Sequence, residues 1–182
     1  MEQAVLETPR LSLRPFTLAD APDVQRLAGA SEVADTMLNV PHPYENGMAE
    51  QWIGGQAELF KAGSNVAYAI TLRDGGTLLG AISLGVTAQH RRAEMGYWLG
   101  VPFWNQGYMT EAAEALVGYG FHARGLHKIT ASHFARNLAS GRVMEKIGMR
   151  REGLLREHVR KGDGWEDLVL YGLLASATGA SR

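Results

Sequence analysis

The chain contains no cysteine among its 182 residues. Disulfides, thiolate nucleophiles and zinc–thiolate sites are therefore excluded. It also lacks any apolar run near the roughly 20 residues of a membrane-spanning helix. Charge of neither sign predominates: the net charge is −1, so bulk attraction to nucleic acid or to an anionic membrane is not expected. The opening stretch MEQAVLETPR has no charged-then-apolar plan of a secretory signal, and a cytoplasmic location is the expectation. No G-x-S-x-G elbow and no GKS/T phosphate loop occurs, which removes two common routes to nucleophilic and nucleotide chemistry. His42, His90, His122, His127, His133 and His158 show no paired metal-ligand spacing, so no metal is expected.

What remains is an ordinary globular composition, 46% hydrophobic and 20% charged, enough for one substantial core. No repeat, low-complexity tract or linker divides it. A single domain over residues 1–174 is expected, followed by a small polar tail, 175–182, too poor in apolar groups to pack.

Alternation of Leu11 and Leu13 with polar neighbours predicts a strand at Arg10–Arg14. Leu18, Ala21, Val24, Leu27 and Ala28 then form a helical stripe, with Pro22 in its first turn and Asp20 as the cap. Pro41-His42-Pro43-Tyr44 reads as a rigid turn. A helix over Met48–Lys61 follows, with Trp52, Ile53, Ala57 and Phe60 on one side and a weakening Gly54-Gly55 pair. That region, with the Pro41–Tyr44 turn before it, is expected to cover something as one wall of a groove, or simply to be a poor helix on the core.

Asn65–Leu72 and Thr77–Gly85 read as a hairpin across a glycine turn. Further strands are expected at Glu94–Leu99 and Lys128–His133, with a helix at Asn137–Ile147 stopped by Gly148. Met149–Val159 and Trp165–Leu174 make a last hairpin. Strands and helices in this order give a mixed α/β sheet covered by helices.

The stretch Glu94 to Ala123 organises the rest. A strand ending in Tyr97, Trp98 and Leu99 meets a turn punctuated by Gly100, Pro102, Asn105 and Gly107. From Thr110 onward Ala112, Ala113, Leu116, Val117 and Phe121 recur at helical spacing. A glycine turn opening a helix offers unpaired N–H groups and the positive end of the helix dipole, which suits a phosphate. An ordinary strand–loop–helix connection has the same appearance.

This order, with Gly107 at the hinge, resembles the GNAT acetyltransferase superfamily, and within it the Rim-type ribosomal-protein N-terminal (alanine/serine) acetyltransferases. The resemblance is carried by TPRLSLRPF, the Pro-His-Pro element, AEMGYWLGVPFWNQGYMTEA, NLASGRVMEKIGMRREG and the closing DLVLYGLL. It covers roughly residues 9–174. It implies a mostly antiparallel twisted sheet of about seven strands with about four helices, splayed between the fourth and fifth strands. Acetyl-CoA is the implied co-substrate, held by Leu99, Gly100, Val101, Asn105, Gln106, Gly107, Tyr108, Met109, Thr110, Asn137 and Ser140. Met109 stands where the superfamily has a small residue. By the same resemblance, pantetheine pairs with unpaired backbone in the splay, and an N–H near Leu99 or Gly100 polarises the thioester carbonyl.

Acetyl transfer to an amine needs a base, an oxyanion donor and a donor for the departing thiolate. An α-amino group has a pKa of about 8, so a carboxylate suffices as base. Glu94 is the candidate; otherwise it is a strand-end charge paired with Arg91 or Arg92. Many relatives place a thiolate-protonating tyrosine where this chain has Met144, whose thioether has no proton to give. The Rim-type subgroup places Asn and Ser there instead, matching Asn137 and Ser140. Ser140 is the candidate acid, alone or through water. Asn137 is a pantetheine ligand, a helix cap, or both.

Three functions follow: N-acetylation of a peptide or protein N-terminus, N-acetylation of a small amine such as a polyamine or aminoglycoside, or CoA binding without turnover. A homodimer is the assembly considered.

Overall fold

The computed structural model describes residues 2–179. Eight strands form one sheet: β1 (Leu6–Glu7), β2 (Leu11–Arg14), β3 (Asn65–Leu72), β4 (Leu78–Thr87), β5 (Arg92–Leu99), β6 (Lys128–Phe134), β7 (Arg150–Lys161) and β8 (Gly164–Leu174). The α-helices are α1 (Ala21–Ala28), α2 (Ser31–Thr36), α3 (Met48–Lys61), α4 (Tyr108–His122) and α5 (Leu138–Lys146). The sheet order is β1-β2-β3-β4-β5-β6-β8-β7. Only β5 and β6 are parallel. The mixed, mostly antiparallel sheet agrees with the sequence-based expectation, with one strand and one helix added. The extra elements, β1 and α2, are too short to show a period.

Both faces of the sheet are covered. Val66, Tyr68, Ile70, Ile82, Leu84 and Met95 join the stripe Met109, Ala112, Ala113, Leu116, Val117 and Phe121 of α4 in one core. Ala69, Ala81 and Trp98 face α1, α2 and α3 in a second core. β3 lies between the two, which is why its sequence reads as an unbroken apolar run. Small residues on its second face let α3 sit close.

Several elements depart from expectation. α3 spans the predicted residues but buries Ala49 and Ile53, while Trp52 is exposed and meets Phe16 edge-on; Ala57 also faces outward. Asp20 occupies the cap position of α1 without capping it. Its carboxylate turns back to the Arg14 guanidinium (2.6 and 2.8 Å) and the Thr17 N–H (2.8 Å). α4 begins at Tyr108 rather than Thr110, because Gly107 adopts φ +79° and serves as its N-cap. Ala175–Thr178, expected to fray, form a 3-10 turn, and the Ala175 N–H bonds His127 O at 3.1 Å. Residues 180–182 of the expected tail lie outside the described residues.

Candidate active site

The parallel pairing of β5 with β6 runs from Arg92/Lys128 to Met95/Ala131 and then stops. Beyond it the strands diverge, and β5 from Gly96 to Leu99 stays paired to β4 alone. Into this splay opens a cavity of about 840 Å³, within the size range of cofactor and ligand clefts. Of the sequence-predicted residues, Glu94, Leu99, Asn105, Gly107, Tyr108, Met109, Thr110, Asn137 and Ser140 line it. Gly100, Val101 and Gln106 do not.

Gly100 has a different task. Its N–H donates to Leu79 O at 2.9 Å, and a Cβ there would meet Leu27 at 2.6 Å. It is a glycine so that β5 can lie close to α1. Since alternate residues of a strand turn their backbone groups to opposite neighbours, Leu99 faces the splay. Its carbonyl accepts the Trp104 indole N–H at 2.8 Å.

The turn that leads into α4 is built from two left-handed residues, Asn105 (φ +60°) and Gly107. The first α4 bond runs from Glu111 N–H to Gly107 O, at 3.2 Å. The N–H groups of Tyr108, Met109 and Thr110 thus have no helical partner and point out of the N-terminus. The Met109 side chain is buried in the core beneath them, so its bulk lies on the inner side of the turn. Gln106 turns away: its carbonyl accepts Arg10 Nη1 at 3.0 Å and its Nε2 donates to Pro102 O at 2.8 Å.

Residues 10–150 match the acetyltransferase (GNAT) domain model. The chain belongs to the GNAT acetyltransferase family. It is 33% identical over 171 residues to the uncharacterized N-acetyltransferase YoaA of Bacillus subtilis, covering 93% of this chain and 96% of that one. It is 25% identical to the [ribosomal protein uS5]-alanine N-acetyltransferase of Escherichia coli, over 72% of this chain and 69% of that protein. The solved structure of Mycobacterium smegmatis RimJ in complex with CoA-disulfide superposes with a TM-score of 0.84 at 24% identity. That match covers 96% of this chain and 87% of RimJ. The chain is therefore an acyltransferase of the acetyl-CoA-using GNAT fold.

In this GNAT acetyltransferase α5 lies over the splay. Asn137 caps it, its Oδ1 accepting the Ser140 N–H at 3.3 Å, which leaves the amide Nδ2 without a protein partner among the described residues. Ser140 Oγ lies 2.9 Å from the Tyr97 hydroxyl, which also reaches Ser140 O at 3.0 Å. Burial, opposed by the Ser140 hydrogen bond and reinforced by Tyr171, pushes the Tyr97 phenol up to about 12. Sequence reading took Tyr97 only for a strand aromatic. Its parity with Met95 already placed it on the α4–α5 face.

His133 was also missed as a lining residue. Its Nδ1 lies 2.8 Å from Phe134 O, while buried Nε2 has no partner among the described residues and packs against Gly141. Among the described residues no group of three His, Asp or Glu side chains gathers to hold a metal.

On the opposite sheet face Glu94 is exposed, with Ser132 Oγ 3.5 Å from its Oε1. It forms no ion pair with Arg91, whose guanidinium binds Gly125 O at 2.7 and 2.9 Å. Asn65, Ser83, Gly85, Gly96 and Ser132 surround it as a small, polar floor, and Val33, Thr36, Met37, Leu38 and Asn39 form the outer wall. The wall is thus α2 and its exit, rather than the Gly54-Gly55 helix or the Pro41–Tyr44 turn.

Proposed function

We propose that the chain transfers acetyl from acetyl-CoA to the free α-amine of a peptide or protein N-terminus, by direct attack in a ternary complex. One observation carries this reading: among the described residues, Glu94 is the only carboxylate lining the cavity. A polyamine or aminoglycoside brings several cations and calls for several carboxylates. Glu45, Glu50, Glu58, Asp163, Glu166 and Asp167 all lie outside the lining. A peptide brings one amine and an extended backbone, and the small polar floor beside Glu94 suits it. The ribosomal-protein acetyltransferases among the relatives support the same acceptor class.

The residues divide the work by position. The Tyr108, Met109 and Thr110 N–H groups receive the pyrophosphate at the positive end of α4. Backbone of β5 left unpaired beyond Met95 receives the pantetheine as an added strand, assisted by the Asn137 amide. The Tyr97 and Leu99 N–H groups face the splay, and that of Tyr97, the nearer to Glu94 along β5, polarises the thioester carbonyl. Glu94 takes the proton of the attacking amine. The Ser140 hydroxyl is the donor for the departing thiolate.

Mass spectrometry of reactions with acetyl-CoA and short free peptides, N-terminally blocked peptides or polyamines tests this. Free peptides are expected to gain one N-terminal acetyl group and blocked peptides none. Acetylation confined to small amines would sink the peptide reading.

A further inference from the structure

We propose that Tyr97 is the positioning residue of the reaction, setting where the Ser140 hydroxyl proton points. The inference rests on the reading of Ser140 as thiolate donor. Tyr97 stands on the part of β5 that has left β6, on the face that α5 covers. Its hydroxyl has two acceptors within reach, Ser140 O at 3.0 Å and Ser140 Oγ at 2.9 Å. A phenol has one proton, so the pair has two arrangements.

When Tyr97 donates to the Ser140 carbonyl, the contact between the two hydroxyls requires the Ser140 proton, which turns toward Tyr97. When Tyr97 donates to Ser140 Oγ, the Ser140 proton is free to point into the cavity. Only the second arrangement serves a leaving sulfur. As the amine nitrogen bonds to the carbonyl carbon, the C–S bond breaks and its electron pair settles on sulfur. The Ser140 O–H then donates a hydrogen bond to that sulfur while Tyr97 donates to Oγ. Neither residue changes protonation state, and the amine proton leaves on Glu94. The raised pKa of the buried phenol, about 12, keeps Tyr97 a donor across the working pH range.

Steady-state kinetics of Tyr97→Phe, Ser140→Ala and the double variant test the proposal. Tyr97→Phe is expected to lower kcat by about fivefold to thirtyfold with the acetyl-CoA KM within about twofold, since the lost interaction operates as charge develops. In the Ser140→Ala background the same change is expected to alter kcat by less than about twofold, because coupled residues are not additive. Losses that multiply in the double variant, or Tyr97→Phe at the parent kcat, overturn the role of Tyr97 and leave Ser140 standing. Ser140→Ala at the parent kcat instead removes the donor reading itself, and the proposal with it.

A polyfluorinated tyrosine at position 97 supplies a second readout that keeps shape and packing. Its more acidic phenol is expected to introduce an alkaline fall in kcat where the parent rate stays level. A rate that stays level in the fluorinated protein overturns the proposal.

Discussion

Arg10 and Glu111, 101 residues apart in sequence, meet with the Arg10 Nε donating to Glu111 Oε2 at 2.6 Å. The same carboxylate accepts the Thr8 hydroxyl at 2.6 Å and the Arg10 N–H at 2.8 Å. Arg10 also holds Gln106 O and lies over the Tyr108 ring, 4.5 Å from its centroid. A carboxylate in the first turn of α4 suits the helix dipole but would repel a bound phosphate. Here it is turned onto the N-terminal strands, where it braces the loop from behind.

That bracing predicts an acid limit to stability. Burial pushes the Glu111 carboxyl up, but Thr8 and Arg10 together outweigh it and hold it below its ordinary value. Asp20 behaves alike: burial raises it, while Arg14 and Thr17 bring it down overall. A depressed folded pKa adds stability that is present above the unfolded carboxylate value, about 4, and is lost as pH falls through the folded one. Melting temperature is therefore expected to drop as pH falls below about 4. In Glu111→Gln the acid drop is expected to be shallower, starting from a lower neutral-pH value. A parent-like acid profile in that variant would remove Glu111 from the account.

Gly107 offers a test of the phosphate loop. Its φ of +79° costs most L-residues roughly 1–2 kcal/mol, so substitution there mixes strain with lost binding. Gly107→Asn keeps a residue that tolerates this conformation and is expected to bind CoA within a few-fold of the parent. Gly107→Glu adds charge beside the phosphates and is expected to weaken CoA by about tenfold or more, some 1.4 kcal/mol. Calorimetry giving equal CoA affinities for the parent and a folded Gly107→Glu chain would move the phosphates elsewhere.

Glu94→Gln tests the proposed base. It is expected to lower kcat by about 10²-fold or more and leave CoA affinity unchanged, because Glu94 lies on the face opposite α4. With the carboxylate present, the rate is expected to rise through about pH 7–8 with deprotonation of the α-amine and then level off. Retention of the parent rate in Glu94→Gln would assign the proton to water.

The α2 wall of the cavity, proposed to meet the acceptor, is tied down at two points. Arg136 grips Asp35 at 2.6 Å while also pairing with Glu166, and Lys161 Nζ donates to Met37 O at 2.6 Å. Lys161→Met keeps the aliphatic stem and releases Met37. The Lys161–Met37 bond is part-buried and a hydrogen bond from a charged group contributes about 1.5–3 kcal/mol, so a modest fall in melting temperature is expected. The peptide KM is expected to rise by about threefold, with acetyl-CoA affinity constant. An acetyl-CoA effect without a peptide effect would place the wall on the wrong substrate.

Much of this architecture is determined by sequence alone. The α4 stripe from Ala112 to Phe121, the unbroken apolar run of β3 and the alternation in β2 each report a period imposed by the element's own hydrogen bonding. Gly107 was legible for the same reason, since a helix start after a glycine turn is a local event. Tertiary structure alone decided which backbone donors stay unpaired. The Gly100 N–H is taken by Leu79 O and the Leu99 group faces the splay, a difference set by strand register and not by residue type. It likewise decided that Tyr97 meets Ser140, that Arg10 meets Glu111, and that α2 rather than α3 walls the cavity. Contacts of that range depend on how helices cross the sheet and where β5 leaves β6, and no local period encodes either.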